Sequence, residues 1–143
     1  MIEPMKHNVG RDGCHVLIVE DNPMIAELMS TRLQRAGMRA TTCLGGRDAI
    51  DFLTHRDVDL MILDVMMPEI DGYEVLKFAR AQNRTRNLPV IFVTAKSTRD
   101  DIERGVALGA DHYVTKPFNG ADLIRQVRVL VGQPRRDALA TAS

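Results

Sequence analysis

The chain has 143 residues, and its 19 Lys plus Arg balance 19 Asp plus Glu. A formal net charge of zero argues against a protein built chiefly to coat nucleic acid or an acidic membrane, whose affinity rests on excess basic charge. Apolar residues make up 45% and no apolar run approaches the roughly 20 residues that span a bilayer, so the expectation is one globular domain with its own core.

Residues 1–13 mix Pro4, Gly10, Gly13 and charges without a period and are expected to form a flexible tail. They lack the apolar stretch of a signal peptide, so a cytoplasmic location is expected. Val16-Leu17-Ile18-Val19 is a short, wholly apolar run, as suits a strand buried on both faces of a parallel sheet. It stops at Glu20-Asp21. Asn22-Pro23 then signals a helix start, with Ile25, Leu28, Met29 and Leu33 at helical spacing and Gly37 beyond its end.

Arg39–Cys43 reads as a second, less apolar strand. Gly45-Gly46 turns into a helix with Ala49, Ile50 and Leu53 on one face. Leu60–Leu63 is the third strand and stops at Asp64. Pro68 and Asp71-Gly72 mark a loop before a helix over Tyr73–Ala81. Val90–Val93 is the fourth strand, ending at Thr94. Asp100–Leu108 is a helix with few large apolar residues. Asp111–Thr115 is the fifth strand, ending at Lys116-Pro117. Asn119 caps a last helix with Leu123, Ile124, Val127, Leu130 and Val131 on one side. Residues 133–143 are small, polar or basic and are expected to form a second flexible tail.

Strands alternating with helices predict an α/β fold with a doubly wound parallel sheet and right-handed crossovers. In such sheets ligands bind at the carboxyl ends of the strands, at the topological switch point. Glu20, Asp21, Asp64, Thr94 and Lys116 all stand at strand ends. With strand order 2-1-3-4-5, Glu20, Asp21 and Asp64 converge. Clustered carboxylates without His or Cys suit a hard cation, Mg²⁺ rather than zinc. Asp64 is placed to act as a nucleophile toward a phosphoryl group, with Lys116 and Thr94 offering a positive charge and a hydroxyl to its oxygens.

The segments VLIVEDN (16–22), LDVMMPEIDG (63–72), VIFVTAK (90–96) and GADHYVTKPF (109–118), in this order and spacing, carry a family resemblance. Over residues 14–132 the chain resembles the receiver domain of two-component response regulators. The resemblance implies a flavodoxin-like fold of five strands, ordered 2-1-3-4-5, with five helices. It implies that Asp64 accepts a phosphoryl group from a phosphohistidine on a histidine kinase or phosphotransfer protein. Asp21 would ligate Mg²⁺ directly and Glu20 through water, with Asp64 and the backbone carbonyl of Met66 completing the protein ligands. Thr94 matches the switch hydroxyl, Lys116 the phosphate-pairing lysine, and Tyr113 the aromatic that turns inward after phosphorylation. The Lys116-Pro117 peptide is usually cis in the family. Many relatives have aspartate where this chain has Glu20.

Met66 and Lys96 match the positions that tune phosphate lifetime. Neither can orient an attacking water, so slow self-dephosphorylation is expected. Met66 also stands where Mg²⁺-dependent phosphohydrolases of related topology need a second acid/base carboxylate, which argues against an enzyme in the ordinary sense. The expected partners are a histidine kinase or phosphotransfer protein and an unidentified output protein, with no direct nucleic-acid or membrane contact. The chain is expected as a monomer or a phosphorylation-dependent homodimer. A stand-alone regulator is the first reading; a fragment of a larger regulator with a DNA-binding or enzymatic output domain is the alternative. Cys14 and Cys43, on neighbouring strands, are expected to be reduced and buried.

Overall fold

The computed structural model describes residues 13–132. The two expected tails therefore lie outside the described residues, apart from Gly13. Ten elements alternate without exception: β1 (His15–Val19), α1 (Pro23–Arg35), β2 (Arg39–Cys43), α2 (Gly46–His55), β3 (Leu60–Leu63), α3 (Gly72–Ala81), β4 (Val90–Thr94), α4 (Arg99–Ala107), β5 (His112–Thr115) and α5 (Gly120–Val131). The strands form one parallel sheet in the order β2-β1-β3-β4-β5. This is the doubly wound order expected from the sequence.

The central strands are apolar throughout because both of their faces are covered. Leu17, Val19, Met61, Leu63, Val90 and Phe92 point into one core, closed by Ala49 and Leu53 of α2 and by Val75, Leu76 and Ala79 of α3. Their neighbours Val16, Ile18, Leu60, Ile62, Ile91 and Val93 point into the other core, closed by Ala26, Met29 and Leu33 of α1 and by Leu123, Val127 and Val131 of α5. Alternation along each strand assigns side chains to the two sides. Cys43 belongs to the first core and Cys14 to the second, so the sheet separates them; both are buried and neither is in a disulfide. Burial pushes the Cys43 thiol up to about 11.

Element boundaries follow local chemistry. The Asn22 side chain caps α1 by accepting from the Met24 and Ile25 amides, with Pro23 at the first helical position. Asp71 and Glu74 form a reciprocal capping box at the start of α3. β5 begins at His112 rather than Asp111. The Asp111 carboxylate instead accepts from the Val90 amide at 2.9 Å and pairs with Arg80 at 3.3 Å. β5 is half-buried along its length, as an edge strand. α4 is the least embedded helix, with Gly105 its only buried residue.

Candidate functional site

Strand register brings the polar strand ends together. Val19 pairs with Leu63 and Leu63 with Phe92, so Glu20 and Asp64 leave adjacent strands at one level. Carboxylate oxygens of Glu20, Asp21 and Asp64 lie within 4.8 Å of one another. Glu20 and Asp64 are buried, and Asp21 is the most accessible of the three.

Lys116 holds the buried pair together. Its Nζ donates to Glu20 Oε1 at 2.8 Å and to Asp64 Oδ2 at 3.0 Å. The lysine arrives from β5, where its own amide donates to the Thr94 carbonyl at 2.8 Å, just before the cis Lys116–Pro117 peptide. Burial acts to lower the Lys116 pKa, but its two hydrogen-bonded carboxylates outweigh that and raise it, so the ammonium stays charged. Burial, helped by the Asp64 charge, raises the Glu20 pKa despite the hydrogen bond from Lys116.

The remaining carboxylate oxygens have partners as well. Glu20 Oε2 accepts from the Asn22 amide at 3.1 Å, and Asp64 Oδ1 from the Met66 amide at 3.1 Å. Asp64 is thus gripped by one loop amide and one ammonium. The loop after it is fixed by Gly72, whose amide donates to the Val65 carbonyl at 2.8 Å. A Cβ at Gly72 would stand 2.2 Å from the Asp64 carbonyl oxygen, so only glycine lets α3 start this close to Asp64.

At the end of β4, Thr94 is fully buried and its hydroxyl accepts from the Lys96 amide at 3.3 Å. Tyr113 Oη donates to the Lys96 carbonyl at 2.7 Å. The Tyr113 ring meets Phe92 edge to face at 5.7 Å, and Phe92 meets Tyr73 at 5.8 Å. The sequence assigns Tyr113 the role of an aromatic that turns inward after phosphorylation; in the structure its ring packs on Phe92, and desolvation pushes its pKa up to about 12. The Met66 side chain is exposed, and Lys96 makes a loose 3.9 Å ion pair with Asp101.

Two neighbours escape a motif reading. Arg104 of α4 lays its guanidinium 4.0 Å over the Tyr73 ring. With Val65, Met66, Met67, Pro68, Asp71 and Lys96 these two line an open cleft of about 450 Å³ beside Asp64. No sequence spacing pairs an α3 tyrosine with an α4 arginine.

The model of the response regulator receiver domain matches residues 16–128. The chain belongs to this family. It is 36% identical over 122 residues to the response regulator SaeR of Staphylococcus aureus strain NCTC 8325 / PS 47, covering 85% of this chain and 52% of SaeR. The chain thus spans about half the length of the curated relatives it matches. Among solved structures it is similar to the Francisella response regulator 1452 receiver domain, with 33% identity and a TM-score of 0.79, covering 83% of this chain and 97% of that one. It is also similar to the receiver domain of sensor histidine kinase PA1611 from Pseudomonas aeruginosa PAO1, with 31% identity and a TM-score of 0.78, covering 84% and 98%. That receiver has a magnesium ion coordinated in its active-site cleft. A receiver domain is a phosphoacceptor signalling module rather than a classical enzyme. No helix among the described residues is long and apolar enough to cross a membrane.

Proposed function

We propose that Asp64 accepts a phosphoryl group from a phosphohistidine of a histidine kinase or phosphotransfer protein. The observation that carries this reading is the convergence of three carboxylates at the sheet's switch point, two of them bridged by one ammonium. An all-oxygen donor set of this kind fits Mg²⁺. Asp21 and Asp64 would hold the ion directly, with the Met66 carbonyl. Both Glu20 oxygens already have hydrogen-bond partners, which suits contact through water. When bound, Mg²⁺ neutralises charge on the phosphoryl oxygens.

A carboxylate oxygen of Asp64 attacks phosphorus in line. The P–N bond to the imidazole breaks, and the leaving nitrogen keeps the bonding pair and takes a proton. Positioning and charge neutralisation carry such a loose transition state. Lys116 is within reach to shift from Asp64 Oδ2 to a phosphoryl oxygen, and Thr94 is the hydroxyl that turns toward the phosphoryl group. Rearrangement of the loop that Thr94 and Tyr113 share through Lys96 then alters the face made by α4, β5 and α5. That face receives an output partner. Exposed Met24 and Leu28, one turn apart on α1, support docking of the phosphodonor there. The folded unit is taken as 14–132, and the setting as cytoplasmic.

Intact mass after incubation with acetyl phosphate and Mg²⁺ tests the reading. A gain of one phosphoryl group, absent in Asp64→Asn and without metal, is expected. No gain with either acetyl phosphate or phosphohistidine donors would overturn it. The same assay followed over time reads the phosphate's lifetime. Neither Met66 nor Lys96 carries a group that orients water, so decay without a phosphatase is slow; a half-life of seconds would remove that part of the account.

A further inference from the structure

A glycine within a helix is a cost to that helix, because it loses more backbone freedom than alanine and packs nothing. Gly105 sits in the last turn of α4, a helix whose apolar face is already thin. It is nevertheless the one residue α4 buries. A Cβ at Gly105 would lie 2.9 Å from two ring carbons of Tyr113 and 3.1 Å from a ring carbon of Phe92. Real side chains do not sit that close to two ring atoms. The space that any other residue would fill is taken by the tyrosine ring.

We propose that Gly105 is a positioning residue for Tyr113: its bare α-carbon admits the ring beneath α4 and so leaves the inward pose open. The proposal rests on the reading of Tyr113 as the switch aromatic. A larger residue at 105 forces a choice between lifting α4 and turning Tyr113 out to solvent. Phe92 cannot give way, being fully buried in the first core. Tyr113 can, because β5 is an edge strand and one hydrogen bond, to the Lys96 carbonyl, holds its hydroxyl. With an alanine at 105 the output face would present an outward tyrosine whether or not Asp64 is phosphorylated.

The chain has two tyrosines and no tryptophan. The Tyr73 hydroxyl is buried without a hydrogen-bond partner, so Tyr73→Phe removes nothing that is bonded and leaves Tyr113 as the sole tyrosine emitter. In that background, acrylamide quenching of Tyr113 fluorescence is expected to about double on Gly105→Ala, as a half-buried ring becomes exposed. An unchanged quenching constant overturns the proposal. Thermal melting in a Tyr113→Ala background gives a second, independent reading. There Gly105→Ala should raise Tm through helix propensity, whereas with Tyr113 present it should not. Equal shifts in both backgrounds overturn the proposal too. Acetyl phosphate labelling of the same proteins keeps the two readings apart. Failure of the native chain to label at Asp64 counts against the phosphoacceptor reading, while quenching and melting still decide the role of Gly105.

Discussion

At the scale of single residues, the least conspicuous position in the sequence does much to hold the fold. Arg80 looks like a basic residue closing α3. Its guanidinium donates to the carbonyls of Thr85, Leu88 and Gly109 and to the Asp111 carboxylate, tying the end of α3 to the starts of β4 and β5. Arg80→Leu would strip these four acceptors of a charged donor and is expected to cost about 3 kcal/mol in urea unfolding. Arg80→Lys should recover only part, since a point ammonium cannot span the set. His15 offers a pH test. Its Nε2 pairs with Thr41 Oγ1 at 2.8 Å, and burial, followed by the Arg39 charge, lowers its pKa. A folded value below the unfolded one of about 6.5 means that the unfolded chain binds the proton more readily. This contribution to stability is therefore complete above that pH and is lost as pH falls through the folded value. Melting temperature between pH 7 and pH 5 should fall less in His15→Gln than in the native chain.

At the scale of elements, legibility tracks how local the cause is. The runs Val16–Val19, Leu60–Leu63 and Val90–Val93 read as strands because each is covered on both faces, and the structure keeps them where apolarity places them. Asn22-Pro23 and Asp71 announce their helices through caps that act within a single turn. Glu20, Asp21, Asp64, Thr94 and Lys116 were legible as strand-end polar residues, and their meeting follows from strand order. What stayed hidden depends on contacts between distant elements. Asp111 left the strand because Arg80 and Val90 claim its carboxylate. Arg104 found Tyr73 across two loops, and Gly105 reads as a weak helix position until the Tyr113 ring is seen against it. α4 has a sound cap, with Thr98 Oγ1 accepting from the Asp101 amide at 3.1 Å and Asp101 returning the bond. It has little beneath it. Amide exchange should therefore be fastest in α4 among the helices and slowest in β1, β3 and β4, with Thr98→Ala accelerating α4 about five-fold, the equivalent of one lost cap. Uniform protection across the ten elements would contradict this ranking.

At the scale of the whole molecule, two cores share one sheet, and the chemistry is confined to its carboxyl edge. Truncating a side chain common to sheet and helix, such as Phe92→Ala, should cost about 3–5 kcal/mol, because the packed aromatic row cannot close over the gap. Metal binding should act in the opposite sense. Mg²⁺ at 100 times its dissociation constant should add about 2.7 kcal/mol to the unfolding free energy, and Asp21→Asn should remove most of that gain. The site also has an electrical balance that differs from the usual effect of phosphorylation. Three carboxylates and one ammonium leave two uncompensated negative charges in the bare cleft. A divalent cation brings this to neutrality. An acyl phosphate carries about two negative charges but consumes the one on Asp64. The loaded cleft therefore goes from neutral to about one negative charge on phosphorylation, half of what the phosphoryl group itself carries. A partner that tells the two states apart has only about one added charge to feel, set inside the cleft beside a cation and an ammonium, and the altered outline of the surface carries the larger part of the distinction.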